Sequence, residues 1–215
     1  MITSVRLVIY NFVFFPFTRL AKNNYIRAPE KNIVYMSYLI EFIKNRSVGA
    51  VSSSSKSLGR FMFGKLNYSD AKVIVELGGG RGVFTHEILK LMSSECKLLV
   101  FEVNEVFCNQ LKSEIQDERV TIINDSAEHI GTYLQQHQFE KADHIISSLP
   151  LSMFSLELKE SILQNTTRFL SDMGQFLQFQ YAPFDYKRLK SHFGSVKMSF
   201  SMRNFPPAFV YRCML

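Results

Sequence analysis

The sequence predicts an α/β fold: a seven-stranded, mostly parallel sheet with helices on both faces, an antiparallel hairpin at its C-terminal end, and a helical extension in front. Three observations predict it. From residue 72 onward, apolar and β-branched runs alternate with segments of helical periodicity. The first run, Val73-Ile74-Val75-Glu76-Leu77, passes straight into Gly78-Gly79-Gly80-Arg81-Gly82 and then into a helical pattern. The last two runs, 196–202 and 208–214, have no helix between them, which leaves an antiparallel hairpin.

The chain divides at residues 71/72 into an N-terminal region, 1–71, and the alternating region, 72–215. Within 1–71, residues 7–17 form an apolar run broken by Asn11 and Pro16 and followed by Arg19 and Lys22. That run is about half the ~20 residues a spanning helix needs, and no small-residue cleavage site follows it. It therefore reads neither as a signal peptide nor as a transmembrane segment. Two readings remain: an interfacial segment with its cations on lipid headgroups, or a helix packed on the protein itself. Residues 32–46 read as a helix whose polar side chains, Ser37, Glu41, Lys44 and Asn45, occupy one narrow stripe. The Ser52–Ser57 region is a hydroxyl-rich link able to cap a helix over 58–65.

In the alternating region, 72–77 reads as a strand buried on both faces, 78–82 as a turn and 83–92 as a helix. Strand 97–103, helix 105–115, strand 120–124, helix 127–136, strand 142–149 and helix 155–170 follow. Strand 174–181, a short helix over 184–191 and the terminal hairpin complete the series. Right-handed crossovers through these helices give a parallel sheet.

Charge is unevenly placed. Of the 25 lysines and arginines and 19 acids, 11 and 3 lie in residues 1–72, so all of the net charge of +6 comes from the first third. This favours an anionic partner there, a lipid surface or a nucleic acid. The three cysteines, Cys96, Cys108 and Cys213, are too scattered for a disulfide framework, which suits a reducing cytoplasm, and the five histidines show no metal-binding spacing. No metal is expected.

The glycine turn carries the chemistry. Glycine is required where backbone takes positive φ or touches a ligand closely, and in open α/β sheets ligands sit at the carboxyl ends of strands. The P-loop pattern is absent. A dinucleotide fingerprint starting at Gly78 and Gly80 would need a third glycine where Val83 stands. The glycines instead fall at 78, 80 and 82, with Glu76 two residues ahead, which resembles the E/D-x-G-x-G-x-G motif of enzymes that bind S-adenosylmethionine (SAM). Glu102, at the end of the second strand, stands where a carboxylate accepts both ribose hydroxyls; it would equally suit the start of the next helix. Asp125 and Ser126 end the third strand. In class I SAM methyltransferases an Asp at that point meets the adenine amino group, and a helix cap is the alternative.

The fourth strand ends in Ser147-Ser148-Leu149-Pro150-Leu151, where amino-methylating enzymes of this class carry motifs such as N-P-P-Y. Together with Val48-Gly49-Ala50-Val51-Ser52-Ser53-Ser54, Gln178-Phe179-Gln180-Tyr181-Ala182-Pro183 and Arg203-Asn204-Phe205-Pro206-Pro207-Ala208, it makes residues 35–215 resemble bacterial phospholipid N-methyltransferases, which methylate phosphatidylethanolamine. Ser148 and Ala182 stand where that family tends to have glycine. A weaker resemblance is to rRNA adenine dimethyltransferases.

The resemblance implies a Rossmann-like fold with SAM as cofactor, held by Glu76, Gly78, Gly80, Gly82, Glu102, Asp125, Ser126 and Ser147. It also implies methyl transfer at an amine near Ser147, Ser148, Tyr181 and Tyr38, with backbone carbonyls around residues 147–149 accepting a hydrogen bond from that amine. Tyr35, Pro150 and Arg203 would contact the lipid, Arg203 through its phosphate. For the tyrosines the plain alternative is packing, and for Arg203 a solvated surface charge. The implied partner is an anionic membrane surface carrying an aminophospholipid, with the protein peripheral on the cytoplasmic face and nucleic acid disfavoured. The competing functions are an rRNA or other nucleic-acid adenine methyltransferase and a non-catalytic, membrane-associated SAM-binding protein. A flipped base wants a stacking aromatic, and Leu151 and Ser147 stand where Tyr and Asn would be.

Overall fold

The computed structural model describes residues 62–64, 66–181, 183–201 and 208–215. The expectations placed on residues 1–61, including Tyr35 and Tyr38, and on Ala182 and Arg203, lie outside the described residues.

Seven strands form one sheet in the order β3-β2-β1-β4-β5-β7-β6. The strands are β1 (Val73–Leu77), β2 (Lys97–Phe101), β3 (Val120–Ile123), β4 (Ala142–Ser147), β5 (Leu170–Gln180), β6 (Ser195–Ser201) and β7 (Ala208–Met214). The first five run parallel, while β7 is antiparallel to both β5 and β6. This is the expected Rossmann-like sheet with its C-terminal hairpin.

Five α-helices connect the strands: α1 (Val83–Leu89), α2 (Glu105–Glu114), α3 (Ile130–Gln136), α4 (Leu156–Phe169) and α5 (Tyr186–His192). Strand alternation sorts the core into two layers. Val73, Val75 and Leu77 join residues of α3, α4 and α5, such as Ile130, Ile162 and Leu189, on one face. Ile74 faces the other side, where Phe84 and Ile88 of α1, Leu111 of α2, and Met62, Phe63, Leu66 and Ala71 join it in the core. Register aligns the ends of the parallel strands: Leu77 lies beside Phe101 on one side and Ser147 on the other, and Ser147 beside Gln178. The turns that follow β1 to β5 therefore open on one edge.

Some boundaries differ from the expected ones. The fifth strand begins at Leu170, immediately after α4, not at 174, and its pairing with β4 slips between Ala142 and His144. The slip absorbs the extra residues around Gly174, whose position leaves no room for a side chain: a Cβ there would lie 2.7 Å from the Asp143 carbonyl. The helix expected over 127–136 splits into a 3-10 turn, Ala127–His129, and α3. The second strand stops at Phe101 and the fourth at Ser147, because the residues beyond turn into the site. No described helix is long and apolar enough to cross a membrane.

Substituting Gly174→Ala is expected to cost about 1–3 kcal/mol by overpacking against backbone. At about 2–4 °C per kcal/mol for a chain of this size, thermal melting monitored by circular dichroism will read the loss directly.

Candidate active site

The turn after β1 is built from backbone. Gly78, Gly80 and Gly82 have φ of +85°, +52° and +76°, so each of the spaced glycines adopts a conformation side chains disfavour. Their amides are divided among partners. Gly78 and Gly79 both donate to the Phe101 carbonyl, at 2.8 and 3.0 Å, and Gly80 donates to Glu102 Oε2 at 2.7 Å. A Cβ on Gly80 would meet no atom of the described residues within 4 Å, so they leave room beside this part of the turn.

Glu102 joins β2 to the turn. Its second oxygen, Oε1, accepts from the Asn104 amide at 2.8 Å. Asn104, not Glu102, caps α2, its Oδ1 accepting from Val106 and Phe107. A carboxylate has about four acceptor positions, and one on each oxygen is thus used, which leaves capacity for two ribose hydroxyls.

Glu76 is 1% exposed, and among the described residues neither of its oxygens has a partner within hydrogen-bond geometry; the buried Thr85 hydroxyl is likewise without one there. Burial pushes the Glu76 carboxyl up to about 8, Glu102 adds to the rise and nearby Thr85 opposes it. The Thr85 hydroxyl and amide are the donors that the chain brings nearest to the carboxyl, and a bound ligand could complete its hydrogen bonding.

At the end of β3, Asn124 Nδ2 donates to the Glu102 and Val103 carbonyls at 2.9 and 3.2 Å, locking the β2 and β3 turns together. Asp125 Oδ1 accepts from the Ser126 amide at 2.7 Å and bonds His129 Nδ1 at 2.9 Å, while Oδ2 accepts from Tyr133 Oη at 3.0 Å. The His129 contact, more than any other, holds the Asp125 carboxyl below its usual range. Asp125 is not the cap; Ser126 Oγ accepts from the Glu128 amide and begins the 3-10 turn.

At the end of β4, Ser147 is fully buried and its Oγ accepts from the Leu149 amide at 3.3 Å. The Ser148 amide donates to the Leu77 carbonyl at 3.0 Å, and Ser148 Oγ donates to the Gly78 carbonyl at 2.7 Å. Ser148 thus ties this turn to the glycine turn. Of the backbone carbonyls near residues 147–149 expected to accept from an amine, that of Leu149 is already engaged. Its oxygen already accepts from the Leu151 amide at 2.8 Å and from Gln178 Nε2 at 2.9 Å, which uses both lone pairs. Pro150 is exposed at the tip, whereas Leu151 turns into the core and offers no platform for a base.

Tyr181 follows β5 and packs its ring edge-on against Phe179, with centroids 4.8 Å apart. Phe179 continues to Phe84 and Phe63, so the tyrosine ends an aromatic row across the α1 face.

The structure therefore brings the turn glycines, Glu102, Asp125, Ser126, Ser147, Ser148, Pro150 and Tyr181 to one edge of the sheet, with Glu76 buried beneath the turn. Sequence reasoning assigned no role to Asn124, Thr85, His129, Tyr133 or Gln178. A signal existed for the last: two glutamines, Gln178 and Gln180, punctuate the apolar run Phe176–Phe179 at the buried end of β5.

The donor set fits SAM. The Glu76 and Thr85 groups offer partners for polar parts of the cofactor, the described residues leave room beside Gly80, Glu102 keeps acceptor capacity, and Asp125 retains one position for an adenine amino group. When bound, SAM supplies an electrophilic methyl on a sulfonium. The fold and its carboxyl-edge site define the chain as a class I SAM-dependent methyltransferase.

Comparison with known proteins agrees. The family model of ribosomal RNA adenine dimethylase matches residues 53–202, and the chain belongs to that family. An ornithine lipid N-methyltransferase from Singulisphaera acidiphila is 28% identical over 182 residues, 83% of this chain and 95% of the relative. Among solved structures, a precorrin-6y C5,15-methyltransferase from Geobacter metallireducens has a TM-score of 0.59 at 15% identity, covering 73% of this chain and 87% of that one. Aeropyrum pernix fibrillarin, solved with natively bound SAM, has a TM-score of 0.55 at 17% identity, covering 74% and 73%.

Replacing Glu102→Gln sets an amide NH₂ against one of the two backbone amides it serves and removes the charge. Losing one charge-assisted bond, about 1.5–3 kcal/mol, is expected to weaken SAM about 10–100-fold by calorimetry. Glu76 makes a second outcome measurable. Its folded pKa, about 8, lies above the ordinary 4.5. Its contribution to stability is therefore complete below the ordinary value and is lost as pH rises through 8. The melting temperature of cofactor-free protein should fall across that window, and Glu76→Gln should flatten the fall.

Proposed function

We propose that this methyltransferase acts on the amine of a membrane aminolipid, such as phosphatidylethanolamine or an ornithine-type lipid. The observation that carries the reading is the near full-length match to an ornithine lipid N-methyltransferase, 95% of that protein's length. Two features of the site support it. The turn after β4 presents small side chains and an exposed proline, not an aromatic platform, and Leu151 is buried in the core where a stacking ring would be needed for a base. The basic N-terminal third suits an anionic bilayer, at about 1 kcal/mol per well-placed cation.

The chemistry asked of the chain is modest. A primary amine is mostly protonated at neutral pH and must first lose one proton to solvent. Bound SAM would then supply its methyl to the nitrogen lone pair and leave as the neutral thioether, while the residues of the chain hold the amine in line. Catalysis is chiefly alignment. With Leu149 committed, the Ser148 carbonyl, which accepts no hydrogen bond from the described residues, is the acceptor left to orient an amine N–H. The half-buried Tyr181 offers a π face to the ammonium product. Arg203, Tyr35 and Tyr38 complete the proposed lipid contacts.

The test is mass spectrometry of vesicles containing phosphatidylethanolamine or ornithine lipid, incubated with protein and SAM. Successive gains of one CH₂ in either lipid are expected. Methylation of RNA with no change in any lipid would overturn the reading in favour of the adenine acceptor. Removing residues 1–31 is expected to weaken binding to anionic vesicles by about tenfold or more, with SAM affinity unchanged; equal vesicle binding would sink the proposed role of that segment.

A further inference from the structure

We infer that Gln178 is a positioning residue for the methyl acceptor, acting through the turn after β4 and not through the cofactor. The inference rests on the acceptor lying at that turn, as in the proposed function.

The turn is tied on two sides. On the cofactor side the ties come from the β4 turn itself: the Ser148 amide to Leu77, and Ser148 Oγ to the Gly78 carbonyl. On the β5 side the side-chain tie from the described residues is Gln178. It lies beside Ser147 in the parallel register, and its Nε2 reaches the Leu149 carbonyl at 2.9 Å and the Phe179 carbonyl at 2.7 Å. Both contacts are donations to carbonyls, so the amide orientation is determined by its partners. Gln178 is wholly buried, and its Oε1 has no partner. Among its buried neighbours Phe176, Leu177 and Phe179, a polar side chain with an unpartnered oxygen is costlier than a hydrocarbon of the same size. The polar side chain is explained by what its Nε2 holds. By saturating the Leu149 oxygen, Gln178 both immobilises the turn and removes a competing acceptor, leaving the Ser148 carbonyl to receive the amine.

Because the cofactor-side ties do not involve Gln178, its loss should separate two quantities. Gln178→Met keeps the volume and removes the donor. SAM affinity is expected within twofold of wild type, while kcat per SAM-binding site falls by up to about 100-fold, the order that a misplaced reacting group costs. The mixture should shift toward singly methylated lipid. Gln178→Glu places a carboxyl against two carbonyls, and burial raises its pKa. Once protonated it donates one bond to Leu149, so its activity relative to wild type should recover as pH is lowered. Measured per SAM-binding site, which removes any recovery of folding, a merely structural glutamine would give no such recovery. Thr166→Val, which removes a buried bond to the Ile162 carbonyl within α4, serves as the control: it should lower the melting temperature and leave kcat per site unchanged.

The inference is overturned if Gln178→Met turns over within twofold of wild type per SAM site, or if SAM affinity and kcat fall together. Should the wild type methylate RNA and no lipid, the lipid reading fails, and the same comparison of kcat with SAM affinity still decides the role of Gln178.

Discussion

The Glu102 carboxylate organises the cofactor edge of this molecule. It accepts from Gly80 in the turn after β1 and from Asn104 at the start of α2, so one side chain joins two consecutive strand–helix units. The Asn124 side chain extends the link to the turn after β3 by donating to the Glu102 carbonyl. Charge-assisted bonds to backbone amides in a nearly buried setting are strong and directional. They hold a backbone of left-handed glycines that has no side chains of its own to pack.

The turn after β4 is built the same way. Ser148 ties the turn after β4 to the Gly78 carbonyl, and Gln178 ties it to β5. Two residues further along β5, Gln180 donates to Asp185, which Lys159 of α4 also grips at 2.9 Å, so the next loop is fastened from the same strand. A methyltransferase works by bringing two reactants into line, and rigid elements do this better than free loops. Here hydrogen bonds cross from one strand end to the next and make the loops behave as part of the sheet.

Glu76 stands apart from this pattern. A wholly buried carboxyl with no hydrogen-bond partner for either oxygen among the described residues is costly in the cofactor-free protein. Its neighbours, Thr85 and the glycine turn, are what a bound ligand would complete. Stability is given up there, and a buried carboxyl whose pKa is raised this far is a candidate functional group.

The sequence by itself determined the strand–helix alternation, the terminal hairpin, the glycine turn and the acidic residues at the ends of β1, β2 and β3. These are local signals: apolar runs, glycine spacing and chain punctuation report backbone conformation directly. Only the tertiary structure decided how those ends connect. That Glu102 reaches Gly80, and that Gln178 takes up the remaining capacity of the Leu149 carbonyl, both depend on contacts between strands adjacent in the sheet but far apart in the chain. The start of β5 at Leu170 has the same origin, since pairing with Ala142 and the slip around Gly174 are properties of the ladder, not of the segment's own propensity. Conformation is encoded nearby in the chain; the partners of each polar atom are chosen by the sheet.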